Sequence, residues 1–98
     1  MYRSVSMDEF GQKQKREEIC IIDVREADEF SSGHIPGAVS MPLSGLAQGY
    51  EGLDKGTEYH VVCLSGGRSS MACEFLSNEG YDVVNVMGGM SAWRGEIE

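Results

Sequence analysis

The segment Ile19-Cys20-Ile21-Ile22-Asp23-Val24 is a continuous apolar run with one acid near its C-terminal end. A strand with one face in water alternates apolar and polar residues. An unbroken run suits a strand covered on both faces, as in a parallel sheet between layers of helix. Tyr59 to Cys63 and Val83 to Met87 read as two further strands, with Tyr2 to Val5 and Ala38 to Met41 as short ones. Helix-like segments lie between them. That alternation predicts an α/β layered fold with a largely parallel sheet.

The helices carry start and stop signals. Ser6 with Glu9 forms a Ser-x-x-Glu capping box, opening a helix through about Gln14. Glu26 to Phe30 reads as a short helix ended around Gly33, and Ser44 to Tyr50 as one weakened by Gly45 and Gly49. Ser69 to Glu79 is the clearest helix, with Met71, Ala72, Phe75 and Leu76 assigned to one face and Gly80 as its C-terminal cap. Gly88-Gly89 then turns into a last helical stretch containing Ala92 and Trp93.

Ninety-eight residues predict one domain over 1–98, with room for one modest core. No apolar run approaches the roughly 18 residues of a membrane span, and the N-terminus lacks the apolar segment of a signal peptide. A cytoplasmic, soluble protein is the expectation. The formal charge of -8, from 8 basic and 16 acidic residues, argues against nucleic acid and against an anionic membrane surface as partners. Cys20, Cys63 and Cys73 are an odd number with no C-x-x-C pair, which suits neither a disulfide framework nor a zinc site. No metal and no cofactor is expected. The question becomes which thiol is reactive.

Val61-Val62-Cys63-Leu64-Ser65-Gly66-Gly67-Arg68-Ser69-Ser70 answers it. A buried strand delivers a cysteine to its C-terminal tip, where open α/β sheets bind ligands. Gly66 and Gly67 allow a tight curl that turns successive N–H groups inward. The first N–H groups of the next helix lack intrahelical partners, and the helix dipole adds partial positive charge there. A thiol in such a ring should ionise below the value of about 8.5 for free cysteine, and the thiolate is the nucleophile. Arg68 adds a full charge and a planar fork suited to an oxyanion, or else makes an ordinary surface ion pair.

These residues resemble the rhodanese family, which also includes the catalytic domain of the cell-cycle dual-specificity phosphatases. Four segments carry the resemblance, in order and over nearly the whole chain. They are Asp23-Val24-Arg25-Glu26; Glu29-Phe30 followed by Gly33-His34-Ile35-Pro36-Gly37-Ala38; Cys63 to Arg68; and Gly88-Gly89 with Ala92-Trp93. The resemblance implies a three-layer α/β/α sandwich around a five-stranded, mainly parallel sheet. It also implies a sulfurtransferase of the thiosulfate sulfurtransferase type, in which the cysteine takes sulfane sulfur from a donor, becomes a persulfide and passes the sulfur on. Carried over, Cys63 is the catalytic nucleophile. The Leu64, Ser65, Gly66, Gly67 and Arg68 backbone would cradle the persulfide, with Arg68 on the anionic part of the donor. Asp23, Arg25 and Ser69 would support the site.

Loop length separates related chemistries. Cys63 to Arg68 is six residues, as in the family's sulfurtransferases. The related phosphatases and arsenate reductases carry one residue more, a wider cradle for a tetrahedral oxyanion. The implied partners are thiosulfate or a persulfide as donor and a thiol or cyanide as acceptor. A protein-to-protein relay with a thioredoxin-like or desulfurase partner is the alternative, since Arg68 is the loop's only basic residue and the chain is acidic. A regulatory module without turnover is a further alternative.

Other residues receive quieter expectations. Asp23 is an anchor at a strand end, Arg25 pairs with a nearby acid, and His34 stabilises a turn. His60 is exposed or packs, and Trp93 plugs the core. Cys20 is inert inside an apolar strand. Cys73 lies at the shoulder of the helix's apolar face, where a resolving role toward an oxidised Cys63 stays open. Met87 and Met90 fill core or line the pocket.

Overall fold

The computed structural model describes residues 2–98. Five strands form one sheet: β1 (Arg3–Val5), β2 (Cys20–Asp23), β3 (Val39–Ser40), β4 (Glu58–Val62) and β5 (Asp82–Val86). Their order is β1-β5-β4-β2-β3. Every pairing is parallel, so all C-terminal strand ends lie along one edge. The helices are α1 (Met7–Arg16), α2 (Ala27–Ser31), α3 (Leu46–Gly49), α4 (Gly67–Asn78) and α5 (Gly89–Ala92), with 3-10 turns flanking α3. Among the described residues no helix is long and apolar enough to cross a membrane.

The unbroken apolar run of β2 serves two cores. Ile21 joins Met7, Phe10, Ile35, Val62 and Val86 on the α1 side of the sheet. Its neighbour Ile22 joins Leu46, Val61, Ala72, Cys73, Leu76 and Val83 on the side of α3 and α4. Consecutive strand residues point to opposite faces, so burial on both faces demands consecutive apolar positions. The three-layer sandwich is therefore present as the alternation and the resemblance predicted.

The local signals are realised in hydrogen bonds. Ser6 Oγ accepts from the Glu9 N–H at 3.1 Å, and Glu9 Oε1 accepts from the Ser6 N–H at 3.2 Å. That capping box starts α1, which runs two residues past the expected end, its last turn carrying Lys13, Lys15 and Arg16. At the end of α4 the Tyr81 N–H returns to the Leu76 carbonyl at 3.0 Å and the Gly80 N–H to that of Ser77 at 3.1 Å. This pairing closes the helix around Gly80 and seats Tyr81 against the same core as Leu76.

Three expectations need correction. First, α4 starts two residues earlier than expected and its buried face is Ser69, Ala72, Cys73 and Leu76. Met71, assigned to the same face as Ala72 and Leu76, is 62% exposed, and Phe75 is only half-buried. The helix phase is set by the strand-tip loop, which turns Ser69 inward; the residues at i, i+3, i+4 and i+7 follow it. Second, Cys73 is not at a shoulder but wholly buried. Third, Cys20 is exposed, because it opens β2 beyond the covered part of that face. His60 is buried and packs against Phe10, with ring centroids 5.7 Å apart.

Candidate functional site

The C-terminal tip of β4 presents Cys63, which is 1% exposed, at the floor of a loop whose Leu64, Ser65 and Gly67 are exposed. Its thiol faces the loop. The Gly66 N–H points at Sγ over 3.0 Å, and Sγ lies 3.4 Å from the Ser69 hydroxyl. Gly66 takes φ +113 as the N-terminal cap of α4, a left-handed conformation that a side chain would strain. Gly67 is different. It is an ordinary first helical residue, and an added Cβ would meet nothing within 4 Å. One glycine, not two, makes the curl.

Two opposed effects act on the thiol. Burial raises its pKa. The Ser69 hydroxyl and the N–H groups of Ser69, Gly66 and Ser65 favour the thiolate and outweigh burial, so the thiol ionises below its ordinary range. Those amides belong to the loop and to the start of α4, where backbone donors have no partners of their own. Leu64 contributes otherwise: its side chain is 47% exposed and its carbonyl accepts from the Ser91 N–H at 2.9 Å.

The loop is clamped from the β5–α5 turn. The Met90 N–H donates to the Cys63 carbonyl at 2.7 Å. A Cβ on Gly89 would sit 2.2 Å from that same carbonyl oxygen, so the two backbones meet only because residue 89 has no side chain.

Ser69 is held in turn. Its hydroxyl is 2.5 Å from Asn85 Oδ1 and 3.2 Å from the Gly66 carbonyl, and Asn85 Nδ2 reaches the Ser70 hydroxyl at 3.2 Å. Asn85 is buried in a strand otherwise made of buried valines past Asp82. Sequence reasoning missed it. The signal was there: an amide at a core strand position must have partners.

Arg68 meets Glu29 of α2 with both ends of its guanidinium, Nη1 to Oε1 at 2.6 Å and Nη2 to Oε2 at 2.9 Å. The Arg68 hydrogen bonds, helped by the Glu26 N–H, hold the Glu29 carboxyl down at about 2. Glu29 was visible in the sequence only as part of a family signature. The ion pair it makes is the plainer of the two roles expected for Arg68.

Asp23 and Arg25 form a buried pair at the end of β2. Arg25 Nη2 lies 2.7 Å from Asp23 Oδ2, and Nε and the Arg25 N–H also donate to that carboxylate. Arg25 Nη2 donates further to the Gly33 carbonyl at 2.8 Å. The pair thus ties the strand end to the turn after α2. His34 helps there, stacked on Phe30 with its Nδ1 2.9 Å from the Phe30 carbonyl. Cys73 stands apart from this chemistry. Burial, with the charge of Cys63 adding, pushes its thiol up to about 12, so it stays neutral in the core.

Fold and site together define an α/β protein with a thiol at a strand tip, ringed by loop amides and the start of a helix that favour its ionised form. The pattern of the Rhodanese-like domain matches residues 6–96, and this chain belongs to that family. Bacillus subtilis YtwF, provisionally named a sulfurtransferase, is 46% identical over 82 residues, spanning 84% of this chain and 80% of that one. Thiosulfate sulfurtransferase GlpE of Shewanella oneidensis is 31% identical over 93 residues, spanning 94% and 92%. The crystal structure of a rhodanese-like domain protein from Staphylococcus aureus superposes with a TM-score of 0.91 at 36% identity, covering 98% of this chain and 96% of that one.

Proposed function

We propose that this protein is a sulfurtransferase carrying sulfane sulfur as a persulfide on Cys63. The observation that carries the reading is the Gly66 N–H aimed at Sγ over 3.0 Å, with the Ser69 hydroxyl beside it. The Gly66 amide, with those of Ser65 and Ser69, favours negative sulfur, which is the attacking species in the first half-reaction and the stored species after it.

With thiosulfate as donor, the Cys63 thiolate attacks the outer sulfur. The S–S bond of thiosulfate breaks, sulfite leaves with the bonding pair, and Cys63 becomes a persulfide anion. An acceptor thiolate, or cyanide, then attacks the terminal sulfur. It leaves as a new persulfide or as thiocyanate, and the Cys63 thiolate returns. Net charge is conserved in each step. The Ser65, Gly66 and Ser69 donors hold the charge throughout, and Arg68 is the group able to meet the sulfonate end of the donor.

A protein-to-protein sulfur relay is the second reading. It is favoured by Leu64 and Met87, each 47% exposed. Leu64 belongs to the loop itself, and the loop abuts Met87, since a Cβ on Gly66 would fall 4.0 Å from the Met87 Cα. Apolar side chains at the rim of a reactive loop suit a docked partner, of the thioredoxin-like or desulfurase kind, better than a small anion. The six-residue loop keeps phosphatase and arsenate reductase chemistry behind both readings.

The test is intact-mass measurement after incubation with thiosulfate or a persulfide donor. The protein should gain the mass of one sulfur atom, lose it on treatment with dithiothreitol, and gain nothing as Cys63→Ala. Full sulfur loading of that variant would remove Cys63 from the mechanism.

A further inference from the structure

We infer that Glu29 is a specificity-determining residue that occupies Arg68 and thereby biases the site against dianionic sulfur donors, toward donors whose sulfur rides on an uncharged organic tail. The inference rests on the sulfur-transfer reading and specifies its donor class.

Two arginines lie at the C-terminal ends of β2 and β4, where a donor approaches Cys63. Neither guanidinium is free. Arg25 is buried against Asp23, with its Nη2 also given to the Gly33 carbonyl. Arg68 spends both Nη groups on the two Glu29 oxygens. This is the forked geometry in which a guanidinium would receive the sulfonate of thiosulfate, with a carboxylate already in the place of the anion.

The carboxylate is also anchored from behind. Glu29 Oε1 accepts from the Glu26 N–H at 2.9 Å, so the side chain is fixed on α2 rather than swinging free. Asp28 precedes it in the same turn. A donor with two charges must therefore displace Glu29 from Arg68 and then sit beside the released carboxylate. A persulfide on a neutral tail needs neither, because its negative sulfur is met by the Ser65, Gly66 and Ser69 donors around Sγ. The pair is about a third exposed on each side, so it can open. The result is a bias, not a block.

The experiment compares the parent protein with Glu29→Gln, which keeps an acceptor for the Glu26 N–H while removing the charge. Two donors are used with cyanide as acceptor: thiosulfate, and the persulfide of 2-mercaptoethanol generated in situ. The ratio of kcat/KM for thiosulfate to kcat/KM for the persulfide should rise about fivefold in Glu29→Gln, the scale of an exposed ion pair. Adding Arg68→Met to that variant should return the ratio to the parent value or below. An unchanged or lower ratio in Glu29→Gln, with an unaltered melting temperature, overturns the inference. So does a rise that survives Arg68→Met.

A second readout needs no turnover. Sulfite should protect Cys63 from iodoacetamide at about fivefold lower concentration in Glu29→Gln than in the parent. Equal protection overturns the inference even if Cys63 transfers sulfur. Stronger protection without any sulfur transfer would instead retire the sulfurtransferase reading and leave the Glu29 gate standing.

Discussion

Asn85 reaches from the core of β5 to the Ser69 hydroxyl at 2.5 Å, and that hydroxyl stands 3.4 Å from the Cys63 sulfur. An amide that looks like a break in an apolar strand is therefore one residue removed from the Cys63 thiol. Ser69 has a single proton to give, and Asn85 fixes where its oxygen sits.

Ser69→Ala should raise the Cys63 pKa, because it removes the hydroxyl that favours the thiolate while burial continues to oppose it. A hydrogen bond to a charged group is worth about 1.5–3 kcal/mol, so the pH midpoint of iodoacetamide alkylation should move up by about one unit or more. The pH profile of the alkylation rate checks it. A profile that stays put would show that the amides alone set the thiol's acidity.

The Asp23–Arg25 pair is a stability element. Arg25→Met leaves the Asp23 carboxylate buried without its guanidinium, at a cost of about 3–5 kcal/mol. At about 4–8 °C per kcal/mol for a chain this size, the melting midpoint should fall by more than about 10 °C. Asp23→Asn combined with Arg25→Met should be less destabilised than the two single losses added together, since no unpaired charge remains.

Gly89 and Gly67 should answer alanine in opposite ways. An alanine Cβ at 89 would meet the Cys63 carbonyl at 2.2 Å, so Gly89→Ala must push the turn off the loop. Overpacking of this kind costs about 1–3 kcal/mol, and sulfur loading of Cys63 should fall with it. Gly67 has open space, and Gly67→Ala should stabilise by up to about 1 kcal/mol. Urea unfolding of both variants makes the comparison.

His60 should make stability fall as the solution is acidified. Burial first, and then Lys13, whose Nζ is 3.4 Å from Nε2, hold its pKa below the ordinary value; Glu58, paired with Lys13, partly opposes them. Below about pH 6.5 the unfolded chain takes a proton that the folded chain refuses, so the folded state loses ground until its own His60 titrates. His60→Gln should flatten that part of the curve. A separate loss comes at lower pH. The Glu29 carboxyl is held at about 2 in the fold, so its contribution is intact above about 4.3 and disappears as pH falls toward about 2. Urea midpoints measured from pH 7 to pH 3 distinguish the two windows.

The strands, the α1 capping box, the Gly80 helix end and a thiol at a strand tip before a helix were all legible in the chain. Each depends on residues close in sequence, whose backbone preferences and apolar spacing act locally. The phase of α4, the full burial of Cys73, the exposure of Cys20, the carboxylate held by Arg68 and the grip of Asn85 on Ser69 were decided by the tertiary structure. Glu29 and Arg68 are 39 positions apart, and Ser69 and Asn85 are 16 apart. Contacts at that range depend on how helices settle on the sheet, and neither propensity nor periodicity encodes which side chains then face each other.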